Sequence, residues 1–231
     1  YNLANRGYNL VLTARREDRL ISISKEISEK FKVKVDFISC DLSDINTPRQ
    51  IFNFCNEKDY KVEVLINNAG YGIKTPFHET PMEDEEDFIR VLGTSVIALT
   101  KIFLPSMMES QNGKIMIVSS VASFSPPSAI QALYGPIKTF MNRFSDSINI
   151  NYNHLGISST ALCPGFTVTE FHQASSLTAG QVRTASIQAG AVIGDSITAG
   201  EIDTIHLATD AVTAEKIEAG AVTASEIEAG T

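Results

Sequence analysis

Short apolar segments alternate with longer segments of helical periodicity over most of the first 165 residues. Leu20, Ile23, Ile27 and Phe31 recur at spacings of three and four, which predicts a helix with one buried face. The predicted strands are residues 9–14, 33–38, 62–66, 113–118 and 157–162, and the predicted helices are residues 17–31, 47–58, 85–110 and 131–153. This alternation predicts right-handed β-α-β crossovers and an α/β fold with a doubly wound parallel sheet.

Composition divides the chain near residue 175. Residues 176–231 contain no Phe, Tyr, Pro, Cys or Met, and all aromatic residues of the chain lie before them. The same 56 residues carry only two Lys or Arg against eight Asp or Glu. Two compositions this different predict two modules, residues 1–175 and residues 176–231.

Charge and hydropathy exclude several classes of protein. The 231 residues have a net charge of −8 and a sequence pI near 5.0, which argues against a nucleic-acid partner. No uninterrupted apolar run approaches the ~18 residues of a membrane span, and residues 1–6 do not resemble a signal peptide. We therefore expect a cytoplasmic protein with no membrane partner. The three Cys and four His show no metal-ligand spacing, so no metal site is predicted.

The residues that follow the predicted strands have the chemistry of a dinucleotide site. Ligands of parallel sheets bind outside the carboxyl ends of the strands. Arg15 or Arg16 could pair with an adenosine 2′-phosphate, and Asp41 could accept a hydrogen bond from an adenine amine. The small residues of the sequence Asn68-Ala69-Gly70 would let a flat cofactor approach the backbone. Taken singly, each of these residues also fits an ordinary helix start or turn.

Tyr134 and Lys138 form a candidate proton-transfer pair. Residues four apart lie on one face of a helix, and a cation there would lower the pKa of the phenol and supply it with a proton. Ser119 and Ser120 end a strand 14 to 15 residues earlier, where a hydroxyl can meet the same substrate oxygen. Ser120 is the preferred partner, and Ser119 is the alternative. Pro136 requires that the helix begin near Leu133.

These motifs, in this order, resemble the short-chain dehydrogenase/reductase family over residues 1 to about 172. The resemblance implies a Rossmann-like fold, NADP as the cofactor, and a small carbonyl or alcohol substrate. It implies that Tyr134 is the general acid and base, that Lys138 lowers its pKa and binds the nicotinamide ribose, and that Ser120 binds the substrate oxygen. The implied cofactor-binding residues are Arg15, Arg16, Asp41, Leu42, Asn68, Ala69, Gly70, Tyr134, Lys138, Pro164, Gly165, Thr167 and Thr169. We also expect a homo-oligomer.

Two features depart from the family pattern. The first strand of the family and its glycine-rich loop are absent, because residues 1–7 already resemble the end of the helix that follows that loop. Arg90 stands where the family has an Asn that holds a water in the proton relay, three residues before Gly93. A buried Arg near Lys138 would repel it and lower activity.

The second module is a regular repeat. An aliphatic residue recurs at every fifth position from Leu177 to Ile227, within a ten-residue unit. A five-residue step advances a helix by about 500°, which excludes one amphipathic helix and favours short strands and turns. The repeat resembles those of phage tail-fibre and host-specificity proteins, which implies trimeric packing. A flexible low-complexity tail is the alternative.

Three functional hypotheses follow. The leading one is an NADP-dependent oxidoreductase that acts on a carbonyl or alcohol. The second is a structural protein of the phage-fibre type with an inactive dehydrogenase-like passenger. The third is a nucleotide-binding module without catalysis.

Overall fold

The computed structural model describes residues 1–126 and 132–165. The strands are Leu10–Ala14 (β1), Val35–Ser39 (β2), Val64–Asn67 (β3), Gly113–Val118 (β4) and Ile157–Leu162 (β5). The α-helices are Asn2–Asn5 (α1), Glu17–Phe31 (α2), Thr47–Glu57 (α3), Met82–Ile89 (α4), Ser95–Glu109 (α5) and Tyr134–Tyr152 (α6). A π-helical turn, Arg90–Thr94, joins α4 to α5, and Val121–Ser123 and Asn153–Leu155 form 3₁₀ turns. The predicted repeat module, Thr167 and Thr169 lie outside the described residues.

The strands form two parallel sheets with helices between successive strands. β1 pairs with β2 from Leu10 opposite Val35 to Ala14 opposite Ser39. β4 pairs with β3 on one side and with β5 on the other. The α/β prediction with parallel pairing is confirmed. No strand of the described residues pairs with both β1 and β3. This agrees with the predicted absence of the family's first strand, which the doubly wound order places between them.

Helix α2 illustrates how local sequence fixes an element. Its first turn carries Glu17 and Asp18, whose negative charge is favourable at a helix N-terminus. Leu20 and Ile27 are buried on one face. The helix ends at Lys32, whose backbone is left-handed with φ of 58°. The predicted bounds, residues 17–31, are those of the structure.

Helix α5 and the strands β4 and β5 form the main core. Phe103 and Met107 of α5 pack in one buried cluster with Ile115, Ile117 and Ile157 of the strands. Each such side chain contributes about 1.5–3 kcal/mol on burial. The helical stretch Met82–Glu109 contains an 18-residue window with a mean hydropathy of 1.6, long and apolar enough to span a membrane, but 56% of that window is buried inside the protein. Its composition is therefore explained by its place in the core.

Two glycines permit the close approach of α5, β4 and β5. Gly156 has φ of 78°, and a Cβ there would lie 2.0 Å from the carbonyl oxygen of Gln111. A Cβ on Gly113 would lie 2.7 Å from both Cβ of Met107 and Cδ1 of Ile157. Any side chain at either position would displace the start of β4 from β5, and with it the strand ends that carry the candidate site.

Candidate active site

The carboxyl ends of β4 and β5 bring the predicted Ser and Pro-Gly motifs together. The backbone N–H of Ser119 donates to the carbonyl of Leu162 at 2.7 Å, and that of Val121 donates to the carbonyl of Pro164 at 3.0 Å. These bonds extend the strand pairing beyond the last ladder position. Ser120 and Pro164 therefore lie at the same edge of the sheet.

The first turns of α6 place Tyr134 and Lys138 beside this edge. The helix begins at Tyr134 rather than at residue 131, with Leu133 as its N-cap, so Pro136 falls in the first turn where it is tolerated. The Lys138 ammonium donates to the carbonyl of Val118 at 2.7 Å. Its Nζ lies 5.6 Å from the centroid of the Tyr134 ring. The predicted i, i+4 pair therefore faces the end of β4.

The two candidate serines have different surroundings. Ser119 is buried, and its hydroxyl donates to the backbone carbonyl of Lys138 at 3.1 Å. The Ser120 hydroxyl accepts from the backbone N–H of Ala122 at 3.1 Å and is hydrogen-bonded to the Tyr134 phenol. The Ser119 hydroxyl thus links β4 to α6 by a hydrogen bond, whereas the Ser120 hydroxyl faces the Tyr134 phenol. The geometry favours Ser120 over Ser119 as the substrate-facing hydroxyl.

Three residues that sequence reasoning missed fix the position of Ser120. Ser123 donates through its hydroxyl to the carbonyl of Ser120 at 2.6 Å. Thr139 donates to the carbonyl of Ser123 at 2.9 Å, and the Asn142 amide donates to the Ser123 hydroxyl at 2.8 Å. The 3₁₀ turn after β4 is thereby held on the same helix that carries Tyr134. Asn142 stands one helical turn beyond Lys138, and this spacing was the sequence signal for the contact.

Burial shifts the pKa values of the pair in opposite directions. Burial raises the pKa of the Tyr134 phenol, and its hydrogen bond with Ser120 offsets part of that rise. Burial lowers the pKa of Lys138 to about 8, an effect that the neighbouring Cys163 opposes. We predicted that Lys138 would lower the pKa of Tyr134, but the net shift is upward. The physical reason is that burial of the phenol outweighs its hydrogen bond with Ser120, while the Lys138 ammonium is bonded to the Val118 carbonyl.

Leu92, not Arg90, is the helix residue beside Lys138. A Cβ placed on Gly70 would lie 3.7 Å from Cγ of Leu92 and 3.9 Å from Nζ of Lys138. Leu92 is buried, while Arg90 is half-buried and has no part in the pKa shift of Lys138. The expected repulsion between Arg90 and Lys138 is therefore wrong. Both residues lie in the π-helical turn, whose wider spacing changes which side chain faces the site.

The ends of β1 and β2 carry a separate charged pair. The Arg15 guanidinium lies 3.7 Å from the Asp41 carboxylate, and 72% of the Arg15 side chain is exposed. The other Asp41 carboxylate oxygen accepts from the backbone N–H of Ser43 at 2.9 Å, so Asp41 also caps a turn. Arg16 is exposed at the N-cap of α2, and the half-buried Leu42 packs beneath this edge.

The turn after β3 lies open at the surface. Asn68, Ala69 and Gly70 are exposed, and none has positive φ, so a strained turn is not their role. Asn67 is buried, and both polar atoms of its side-chain amide are without a hydrogen-bond partner in the described structure. Gly165 is exposed after β5. The small-residue turn is therefore accessible at the surface.

The aromatic rings of Tyr71, Phe88 and Tyr134 pack one against the next. Tyr71 contacts Phe88 edge-on with centroids 5.4 Å apart, and Phe88 lies 6.4 Å from the Tyr134 ring. Burial raises the pKa of Tyr71, the charge of Asp87 adds to this rise, and the charge of Arg15 opposes it. Tyr71 thus lies between the charged pair and the Tyr134 cluster. Neither Tyr71 nor Phe88 was singled out from the sequence.

Residues 1–126 and 132–165 contain no candidate set of metal ligands. No group of three or more His, Cys, Asp or Glu side chains converges there. Cys40, Cys55 and Cys163 are free thiols.

The chain is similar to known proteins in sequence and in fold. The chain is 31% identical over 181 residues to a human protein named inactive hydroxysteroid dehydrogenase-like protein 1, covering 77% of this chain and 52% of that protein. It is 32% identical over 174 residues to the very-long-chain 3-oxoacyl-CoA reductase of cattle, covering 73% and 54%. A short-chain dehydrogenase from Sphingobium yanoikuyae in complex with NADPH superimposes with a TM-score of 0.73 at 27% identity, covering 78% of this chain and 70% of that one.

The chain spans about half the length of the curated relatives that it matches. The family model for the short chain dehydrogenases matches residues 1–180, which include every described element. Parallel strands with a Ser, Tyr and Lys cluster at their carboxyl ends agree with that match. The chain belongs to the short-chain dehydrogenase family.

Proposed function

We propose that the protein transfers a hydride between NADP(H) and a carbonyl or alcohol substrate, with Tyr134 as the general acid and base. The observation that carries the proposal is the cluster of Ser120, Tyr134 and Lys138 at the end of β4. The cattle relative is a reductase by name, and the bacterial neighbour was solved with NADPH. The human relative is named inactive, so activity itself is the first property to measure.

The residues at this edge fit a nicotinamide dinucleotide. Asn67 offers a buried amide with unpaired polar atoms, and Gly70 leaves open the space beside the Lys138 ammonium. Arg15 holds an exposed guanidinium suited to a 2′-phosphate, with Asp41 beside it for the adenine amine. The remaining proposed contacts are Arg16, Leu42, Asn68, Ala69, Pro164, Gly165, Thr167 and Thr169. When bound, the reduced nicotinamide supplies the hydride.

Proton transfer is the chemistry that this chain supplies. The Tyr134 phenol, whose pKa burial raises, is protonated near neutral pH and would donate its proton to the substrate oxygen. Ser120 would hydrogen-bond the same oxygen and hold it next to the phenol. The phenolate that forms is stabilised by the Lys138 ammonium, which is charged below its pKa of about 8. In the oxidation direction, the phenolate takes the proton back from the alcohol.

Substitution of the phenol tests this function. We expect NADPH-dependent reduction of a panel of ketones and aldehydes by the wild-type chain, and a loss of kcat/KM of about 10²–10⁴-fold in Tyr134→Phe because the proton donor is removed. Tyr152→Phe, a half-buried tyrosine at the far end of α6, is the matched control and should be unchanged. NADPH binding without turnover would favour the non-catalytic nucleotide-binding module. Turnover that survives in Tyr134→Phe would contradict the mechanism.

A second candidate function rests on the repeat of residues 176–231. The aliphatic residue at every fifth position favours a module that buries these side chains against other copies. We propose that this module associates as in a phage-type fibre and forms a homo-oligomer. Light scattering of the full chain and of a chain ending at residue 175 tests this: loss of a trimer in the shorter chain supports it. An unchanged mass would contradict it.

A further inference from the structure

Glu85 differs from the other acidic residues of its helix. Residues 83–87 of α4 are all acidic, and most of them are exposed as expected for a helix start. Glu85 alone in this run is buried, with 5% of its surface exposed. Burying a carboxyl group is unfavourable unless a partner satisfies it. The position of Glu85 therefore needs a reason.

Neither a hydrogen-bond partner nor a helix-capping role explains the burial of the Glu85 carboxyl group in the described part of the chain. Its Oε2 atom is fully buried and has no hydrogen-bond partner in the described part of the chain. The N-terminus of α4 is formed by Pro81 without a side-chain hydrogen bond, so Glu85 does not cap the helix. Burial raises the pKa of the carboxyl, and the charge of Asp84 adds to this effect. Unpaired buried acceptors are rare in native proteins and often mark a functional site.

Glu85 lines a small cavity that it shares with Tyr134. The cavity has a volume of about 10 Å³, and Ile73, Phe88 and Leu133 form an apolar part of its wall. A cavity of this size holds about one water-sized group, so it suits a single hydroxyl group at one end of a small molecule. The wall is thus mostly apolar and includes Thr75, the candidate proton donor Tyr134 and the unpaired Glu85.

We propose that Glu85 binds a hydroxyl group of the substrate, so that the site selects apolar ketones and alcohols that carry a second hydrogen-bond donor. The inference rests on the proposed function, because it takes Tyr134 as the group that meets the reacting oxygen. A hydroxyl donor satisfies the buried Oε2 atom, whereas a plain ketone leaves it unpaired. A substrate with a carboxylate in this position is rejected, because two negative charges would share an apolar cavity.

A matched pair of ketones tests the proposal. The kcat/KM values for 4-hydroxycyclohexanone and cyclohexanone are measured with wild type, Glu85→Leu, Glu85→Gln and the control Glu86→Leu, since Glu86 is exposed on the same helix. We expect Glu85→Leu to lower kcat/KM for the hydroxyketone about 10- to 100-fold, mainly through KM, and to leave cyclohexanone unchanged or faster. Glu85→Gln keeps a carbonyl acceptor and should retain most of the preference. Glu86→Leu should change neither ketone.

Other outcomes are equally decisive. Equal losses for both ketones in Glu85→Leu would assign Glu85 a structural role and overturn the proposal, as would an unchanged preference. If wild type reduces neither ketone, the proposed function fails, and ligand-observed NMR of the two ketones decides the role of Glu85 separately. Preferential binding of the hydroxyketone by wild type that is lost in Glu85→Leu supports the proposal. Equal binding of both ketones overturns it.

Discussion

The two sheets carry two different kinds of polar site at their carboxyl ends. At the three-stranded sheet, Lys138 is buried, bonded to the end of β4, and its pKa is lowered to about 8. At the two-stranded sheet, Arg15 and Asp41 form a pair at 3.7 Å that remains largely exposed. Burial changes proton affinity, and exposure preserves charge for a ligand. The difference suggests a division between proton transfer at one sheet and cofactor binding at the other.

Substitution of the two serines at the three-stranded sheet is expected to have the larger effect on activity and stability. Ser120→Ala removes a hydroxyl that faces the phenol, so we expect kcat/KM for ketone reduction to fall about 100-fold with little change in stability. Ser119→Ala removes a buried hydrogen bond to the Lys138 carbonyl, so we expect a loss of about 1 kcal/mol in the free energy of unfolding. Steady-state kinetics and urea unfolding measure both. Activity loss confined to Ser119→Ala would reverse the assignment.

Charge reversal at the two-stranded sheet is expected to have a smaller effect. Arg15→Asp replaces the exposed cation by a group that repels a 2′-phosphate, and we expect the ratio of kcat/KM with NADPH to that with NADH to fall about 10- to 50-fold. Lys25→Asp makes the same charge change at an exposed position of α2 and should leave the ratio unchanged. Equal losses with both cofactors in Arg15→Asp would show that Arg15 does not contact a 2′-phosphate.

Most of the fold followed from the hydrophobic pattern. The predicted bounds of β4, β5 and α2 match the structure, because each is a strongly patterned segment between clear breaks. The interruption between β1 and β3 follows from the missing first strand of the family, which the doubly wound order places between them. The helix predicted over residues 85–110 contains a π-helical turn, which leaves no signal in hydrophobic spacing.

The residues of the candidate site could be predicted from the sequence, but the contacts between their side chains could not. Tyr134 and Lys138 follow from helical spacing and strand order. Comparison with the family motif placed Arg90 near Lys138, whereas Leu92 and the Lys138 ammonium both lie beside Gly70. Glu85 was missed because an acidic run at a helix start is usually solvated. Residue type alone does not distinguish a buried carboxyl from its exposed neighbours.

The pH dependence of ketone reduction tests the central claim most directly. Below pH about 8, Lys138 is charged and stabilises the phenolate that proton donation by Tyr134 leaves behind; above it, this stabilisation is lost. We predict that kcat/KM of the wild type is level at neutral pH and falls by up to about tenfold per unit above pH about 8. Lys138→Met should be slow and show no such fall. A level wild-type profile to pH about 10, or the same fall in Lys138→Met, would contradict the proposed role of the buried pair.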